Sequence, residues 1–376
     1  MITFESVSKR FPDGTTAVDD LDLEVREGEV TVLVGPSGCG KTTTLRMVNR
    51  MIEASGGRIV VDGQDVKQVD PPQLRRRIGY VIQQVGLFPH RTIGENIATV
   101  PDLVHWEKRR TKARIDELLD LIGLPAEVVD RYPHQLSGGQ RQRVGVARAL
   151  AVDPPIMLMD EPFGAVDPIV RSRLQDEFLR LQAELAKTIL FVTHDIDEAI
   201  KMGDHIAIMQ RGGHLAQYAP PAELLMNPAN SFVEDFVGAD RALKRLSLQR
   251  VRDVNLWKAP LVREGEPVAA ARAKVADSEV PYPLLIDERG RPLGWLSERG
   301  LTGELVTPEL SSRAETVIEL DDILRDALSD LLAEEAQYGP VVDERGEVCG
   351  VLSIEILALS LKTPSEQVPH GADAAS

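Results

Sequence analysis

The amino-acid sequence predicts an α/β fold built on a parallel sheet, followed by a smaller α+β domain. Three observations carry that prediction. Short, continuous apolar runs recur through residues 1–240, and each ends in a polar cluster. A charged, helix-favouring stretch lies between two of those runs. A segment in the last third returns 56 positions later in recognisable form.

The apolar runs are Val30-Thr-Val-Leu-Val34, Ile156-Met-Leu-Met159 and Thr188-Ile-Leu-Phe-Val-Thr193. Runs of this length without polar alternation suit strands buried on both faces, as in a parallel sheet. Their polar ends are Gly35, Asp160-Glu161-Pro162 and His194-Asp195. In open α/β sheets ligands sit at the carboxyl ends of the strands, so these clusters are where chemistry is expected. The region from about 84 to 150 reads as a helical insert. Within it, Glu107 to Leu121 places Ile115, Leu118, Leu119 and Ile122 at helical spacing. After residue 240 a basic stretch (Arg241, Lys244, Arg245, Arg250, Arg252) suits a solvated helix or linker face, or a surface for anionic lipid or a partner.

The repeat pairs Pro283-Leu-Leu-Ile-Asp-Glu-Arg-Gly290 through Ser297 with Gly339-Pro-Val-Val-Asp-Glu-Arg-Gly346 through Ser353. Each copy reads strand, turn, strand, then a helix beginning near Ser297 or Ser353. The stretch before Pro281 in the first copy is weakly helical. Copies spanning about 250–301 and 308–360 are expected to join into one domain over 245–362, because some 50 residues make too small a core alone. The tail 363–376 reads as disordered.

Composition narrows the function. The chain has 376 residues, enough for two domains of ordinary size, and 43% hydrophobic residues. No apolar run approaches the roughly 20 residues of a membrane-spanning helix. The start Met1-Ile-Thr-Phe-Glu5 has no basic segment and no apolar segment of the secretory type, and two cysteines make no disulfide framework, so a reduced cytoplasmic setting is expected. Net charge is −16, shared by the residues before and after 240. Neither part is basic, which argues against nucleic acid as a partner.

Gly35-Pro36-Ser37-Gly38-Cys39-Gly40-Lys41-Thr42 fits the phosphate-loop pattern G-x-x-x-x-G-K-[ST] in full, between a strand and a helix-like segment starting at Thr43. Glycines let backbone N–H groups curl around phosphate oxygens, and the helix start adds partial positive charge. Lys41 is placed to reach the terminal phosphates, and Thr42 to ligate Mg²⁺. Cys39 occupies a variable position, either inert or activated by the helix start. A second signature, Leu136-Ser137-Gly138-Gly139-Gln140, opens a helix and precedes Met159-Asp160-Glu161-Pro162.

Together these motifs resemble the ATP-binding subunits of ABC transporters, over about residues 1–240. The resemblance implies a P-loop ABC ATPase domain with an α-helical subdomain and the cofactors ATP and Mg²⁺. It places Phe11 where an aromatic stacks on adenine, although Phe11 also suits a core position on an early strand. Gln83 matches the glutamine that touches Mg²⁺ and the attacking water; neighbouring Gln84 competes by local motif. Asp160 would hold the metal, Glu161 would serve as general base, and His194 would contact the γ-phosphate. Asp167 falls in the loop Gly164-Ala-Val-Asp167, with Val166 where leucine is commoner. Ser137, Gly138, Gly139 and Gln140 would close over the nucleotide of a second subunit.

Tyr80 to His90, Arg131-Tyr-Pro-His-Gln135 and Met159 to Gly164 further resemble the bacterial glycine betaine/carnitine/choline group of importer ATPases. The repeat resembles the paired CBS motifs that several of these carry, although their nucleotide-contacting residues are not recognisable here. The implied partners are a second copy of the chain, two transmembrane permease subunits and, through the permease, an extracytoplasmic solute-binding protein. The implied location is the cytoplasmic face of the cell membrane. The apolar loop with Val85, Leu87, Phe88 and Pro89 would meet a permease helix or pack on the chain's own helical insert. The repeat would regulate transport in response to ionic strength or an adenine nucleotide, or act as a plain appendage. The alternative, a soluble ABC ATPase working on DNA or ribosomes, fits poorly with one phosphate loop, a short insert and an acidic balance.

Overall fold

The computed structural model describes residues 1–82, 86–164, 168–297, 301, 303–313 and 316–362. Gln83, Gln84, Val166, Asp167 and the tail from 363 therefore lie outside the described residues, as does the start of any helix just after Ser297. The chain divides into two compact units, Met1–Gly238 and Ala239–Ser376.

The first unit holds two sheets. An antiparallel sheet comprises β1 (Ile2–Arg10), β2 (Thr16–Val25), β4 (Gly56–Val61) and β5 (Gln64–Asp65), in the order β2-β1-β4-β5. The larger sheet contains β3 (Val30–Val34), β6 (Ile78–Val81), β7 (Ile156–Asp160), β8 (Thr188–Val192), β9 (His205–Met209) and β10 (Leu215–Ala219). Its order is β10-β9-β3-β8-β7-β6, parallel from β9 to β6, with β10 antiparallel at one edge. Every residue of β3, β7 and β8 is buried, as continuous apolar runs require.

In the antiparallel sheet β2 alternates plainly from Leu21 to Val25, but β1 does not. β1 is broken by register shifts between Phe4 and Val7 and again on either side of Lys9, and Ser6 takes φ 47°. Such bulges interrupt the period-two pattern on which strand recognition depends. The helix Lys41–Val48 lies between the two sheets: Leu45, Met47 and Val48 share one core with Ile2, Phe4 and Leu21 of the antiparallel sheet and Leu33, Leu158 and Leu190 of the parallel one. That packing fixes the helix whose start carries the phosphate-loop lysine.

Between β6 and β7 the described chain is helical: Ile93–Ile97, Thr99–Leu103, Lys108–Leu121 and Gly138–Leu150. Ile115, Leu118, Leu119 and Ile122 are buried, as their spacing predicted. Among the described residues, no helix is long and apolar enough to cross a membrane.

The second unit shows how far the repeat extends. Its first sheet joins β11 (Leu261–Arg263), β12 (Leu284–Ile286), β13 (Pro292–Leu296) and β14 (Ser311–Arg313). Its second joins β15 (Ile318–Glu319), β16 (Tyr338–Val342) and β17 (Val348–Ser353). Val262 pairs with Leu285 in parallel, and 56 positions on, Ile318 pairs with Val341 in parallel. The helix Val268–Ala276 answers the helix Leu324–Ala333 at the same offset. The stretch before Pro281, expected to be weakly helical, thus carries a nine-residue helix. Buried Val268 and Ala271 anchor it against β11, a contact that local propensity does not reveal.

Each copy keeps its own core. Val262, Val268, Ala271, Leu285 and Leu296 of one match Ile318, Leu324, Ala327, Val341 and Leu352 of the other. The copies also exchange edges. The Val251 and Arg252 N–H groups donate to Asp322 and Leu320 carbonyls of the second copy. The Val306 N–H, just before the second copy, donates to Glu266 of the first. The basic stretch forms the helix Arg241–Leu246, with Leu246 buried in the second copy's core.

Candidate functional site

The site is assembled at the carboxyl ends of β3, β7 and β8. The loop after β3 turns through three left-handed or positive-φ glycines, Gly35 (φ 155°), Gly38 (79°) and Gly40 (103°). Space as well as φ demands glycine here. A Cβ on Gly35 would stand 2.3 Å from the Met209 carbonyl, and one on Gly40 2.1 Å from the Ala17 carbonyl. Ser37 and Gly38 stand exposed at the tip of the loop, with Pro36 half-buried beside them. Cys39 is buried with its Sγ 3.7 Å from Lys41 Nζ, the setting of a packed thiol rather than an accessible nucleophile.

Lys41 Nζ donates to the carbonyls of Gly35 (2.7 Å) and Pro36 (3.0 Å), so the ammonium is held inside the loop it closes. Thr42 Oγ1 donates to Asp160 Oδ1 at 2.9 Å, which joins the helix start to the end of β7. Half-buried Thr43 follows it, and Thr44 Oγ1 donates back to the Gly40 carbonyl. Burial raises the Asp160 carboxyl above its ordinary range; the Thr42 bond and the Arg46 guanidinium, 4.0 Å away, pull it down in part. The Thr42 hydroxyl and the Asp160 carboxylate are hard oxygen donors that meet at one point, and they fit a divalent cation of the Mg²⁺ type, whose charge would offset the cost of burying the ionised carboxylate.

Glu161 follows Asp160 with φ 45°, a left-handed conformation rare for a side chain of this size. Its N–H donates to the Val192 carbonyl at the end of β8, which pins the turn. His194 Nδ1 lies 3.3 Å from Glu161 Oε1. The strained backbone thus aims a carboxylate across the gap between two strand ends, where an imidazole meets it. Next along, Asp195 caps the helix Ile196–Met202 by accepting from the Asp197 and Glu198 N–H groups.

Phe11 is half-buried in the turn joining β1 to β2 and lies outside both cores, so the core position open to it from sequence is not the one it takes. Lys9 Nζ sits 5.1 Å from its ring centroid. Ser137 and Gln140 form a reciprocal capping box: Gln140 N–H donates to Ser137 Oγ (3.2 Å) and Ser137 N–H to Gln140 Oε1 (2.9 Å). The box fixes the start of the helix Gly138–Leu150, whose first residues, Gly138 and Gly139, have no side chain to cover the N–H groups.

Two groups escaped the sequence reading. Arg46 stands four residues after Thr42, hence on the same helix face, and reaches Asp160. Tyr80, near the end of β6, is raised in pKa by burial and then by the Asp160 charge, with an Arg46 hydrogen bond opposing. The helical spacing of Thr42 and Arg46 was a usable signal; nothing local marks Tyr80. In the loop beyond β6, Leu87 packs partly against the core, whereas Phe88 is 39% exposed under the Arg91 guanidinium.

Comparison with known proteins gives this geometry a context. Residues 18–164 match the ABC transporter family profile. The chain is 43% identical to the glycine betaine/carnitine/choline transport ATP-binding protein OpuCA of Bacillus subtilis, over 94% of each chain. It is 46% identical to the osmoprotectant import ATP-binding protein OsmV of Salmonella typhimurium, over 95% of each. Among solved structures it resembles a dimeric ATP-binding cassette in a post-hydrolysis state with ADP and Pi (31% identity, TM-score 0.53), which covers 59% of this chain and 99% of that one.

Proposed function

This chain belongs to the ABC transporter ATP-binding family, in its osmoprotectant-import branch, and we propose that it powers the uptake of a quaternary amine such as glycine betaine, carnitine or choline. It is an ATPase coupled to solute import, and its substrate ATP meets the chain at the phosphate loop. The observation that carries the residue assignment is the meeting of Thr42 with Asp160 and of Glu161 with His194 at neighbouring strand ends.

Hydrolysis of a phosphoanhydride asks for charge neutralisation and in-line positioning more than for covalent help. Lys41 leaves its carbonyl partners to meet the terminal phosphates as a point charge. The loop N–H groups between Gly35 and Thr42 line the phosphate chain. Thr42 and Asp160 would hold Mg²⁺, with Gln83 as a further ligand, and the ion would supply positive charge against the phosphates. Glu161 orients the water and takes its proton; His194 keeps that carboxylate in place and reaches the γ-phosphate. Phe11 stacks on the adenine.

Ser137, Gly138, Gly139, Gln140 and Asp167 serve the nucleotide held by a second copy, so two chains enclose two nucleotides. The partners are two permease subunits with exposed Phe88 at the contact, and through them a solute-binding protein outside the cell. The chain thus works peripherally at the cytoplasmic face of the membrane. The second unit, with its CBS-like repeat, regulates transport.

The test is Glu161→Gln, which keeps the shape and removes the base. Hydrolysis at saturating Mg-ATP is expected to fall about 10²- to 10⁴-fold with ATP binding retained, and the variant is expected to run as an ATP-dependent dimer on gel filtration. Wild-type turnover would overturn the assignment.

A further inference from the structure

Between the two halves of the second unit lies a cavity of about 390 Å³, lined on one side by Tyr282 and Trp295 and on the other by Glu334, Glu335 and Tyr338. Its size falls at the small end of ligand pockets, about 300–1,000 Å³. Tyr282 and Tyr338 are repeat equivalents, 56 positions apart, and meet edge to face with centroids 6.3 Å apart. Trp257 backs Tyr338 at 6.3 Å. The chain has only three Trp and five Tyr, and four of these eight gather at this one place. A core would explain buried rings, but Tyr282 is 40% exposed and the others are half-buried.

The carboxylates point the same way. Glu334 and Glu335 end the helix Leu324–Ala333, where the helix dipole is negative and acidic side chains are unfavourable. Glu335 also takes φ 52°. Its N–H donates to Leu332 and the Ala336 N–H to Leu331, the bonds of a Schellman turn in which glycine is the unstrained residue. No Lys, Arg or His is among the described residues lining the cavity. Thr316 Oγ1, at the same wall, is buried and without a partner. Aromatic faces, two carboxylates and a helix C-terminus all attract positive charge, and none of them suits a phosphate.

We propose that this cavity binds a small quaternary ammonium cation, held by the faces of Tyr282, Trp295 and Tyr338 and the charge of Glu334 and Glu335. Resting on the function proposed above, the ligand is the imported solute itself, so the ATPase subunit reads the solute's level on the side of delivery. A solute bound between the repeat copies fixes their mutual position, which gives transport a feedback input.

Calorimetric titration of the full chain with choline and glycine betaine tests this. Saturable binding is expected for both, and none for 3,3-dimethylbutan-1-ol, which keeps the shape of choline without its charge. Trp295→Ala is expected to weaken choline about tenfold, and Tyr338→Phe, which keeps the ring face, to change it little. Should Trp295→Ala fail to fold, exposed Glu335→Gln is expected to weaken binding several-fold with ATPase activity unchanged. Absence of choline binding, equal binding of the neutral analogue, or AMP binding that these substitutions weaken in place of choline would overturn the proposal. Uptake into proteoliposomes separates the two readings. Choline binding without quaternary-amine uptake sinks the transport reading alone, and uptake without choline binding sinks the cavity alone.

Discussion

Asp160 illustrates how a single residue serves the site at the expense of the fold. Burial raises its carboxyl in the folded chain, so the folded state binds the proton more tightly than the unfolded state does. The stability it contributes is therefore present below the unfolded value and declines as pH rises through the folded one. Asp160→Asn removes the buried charge and still accepts from Thr42. The nucleotide-free variant is expected to melt higher than the wild type at pH 7, with the gap closing toward pH 4, while Mg-ATPase activity is lost. Scanning calorimetry across that range checks the sign. Glu161 carries a similar cost in backbone form, since its positive φ is retained where glycine would be unstrained.

At the scale of elements, the helix Lys108–Leu121 depends on a narrow apolar face. Leu118 is fully buried there, and Leu118→Ala is expected to cost about 2–5 kcal/mol in urea denaturation of the first unit. The helix Leu324–Ala333 behaves differently at its end. Relieving its left-handed glutamate with Glu335→Gly is expected to stabilise the second unit by about 1 kcal/mol while weakening choline binding. A gain in stability coupled to a loss of ligand would mark Glu335 as a functional residue; a loss of both would mark it as structural.

For the whole molecule, the chain's division after Gly238 predicts separable activities. Every placed catalytic residue lies before position 195, so a chain truncated after Gly238 is expected to retain basal ATPase activity. The response of uptake to salt or to added quaternary amine is expected to change. The acidic balance gives salt a route to act as a second input, because screening weakens like-charge repulsion beyond a Debye length of ~10 Å at 0.1 M. A cysteine at exposed Phe88 is expected to cross-link to a permease subunit in the assembled transporter, whereas one at Leu118 is not.

The sequence by itself determined three of the five parallel strands (β3, β7 and β8), the phosphate loop and the 56-residue repeat, because each is written in contiguous residues. A run such as Ile156–Met159 is buried on both faces wherever it packs, and Gly35 to Thr42 meet phosphate through their own backbone. The pairing of the antiparallel sheet, the Arg46 contact with Asp160, the placing of Tyr80 in the Asp160 field, the helix Val268–Ala276 and the exchange of edges between repeat copies were decided by tertiary structure. Bulges hide β1 from any periodic search, and Tyr80 feels the Asp160 charge only because β6 and β7 are neighbours in the sheet. The aromatic cavity belongs to the same class. Tyr282 and Tyr338 are 56 residues apart in sequence, and only the pairing of two copies of one motif brings their rings together.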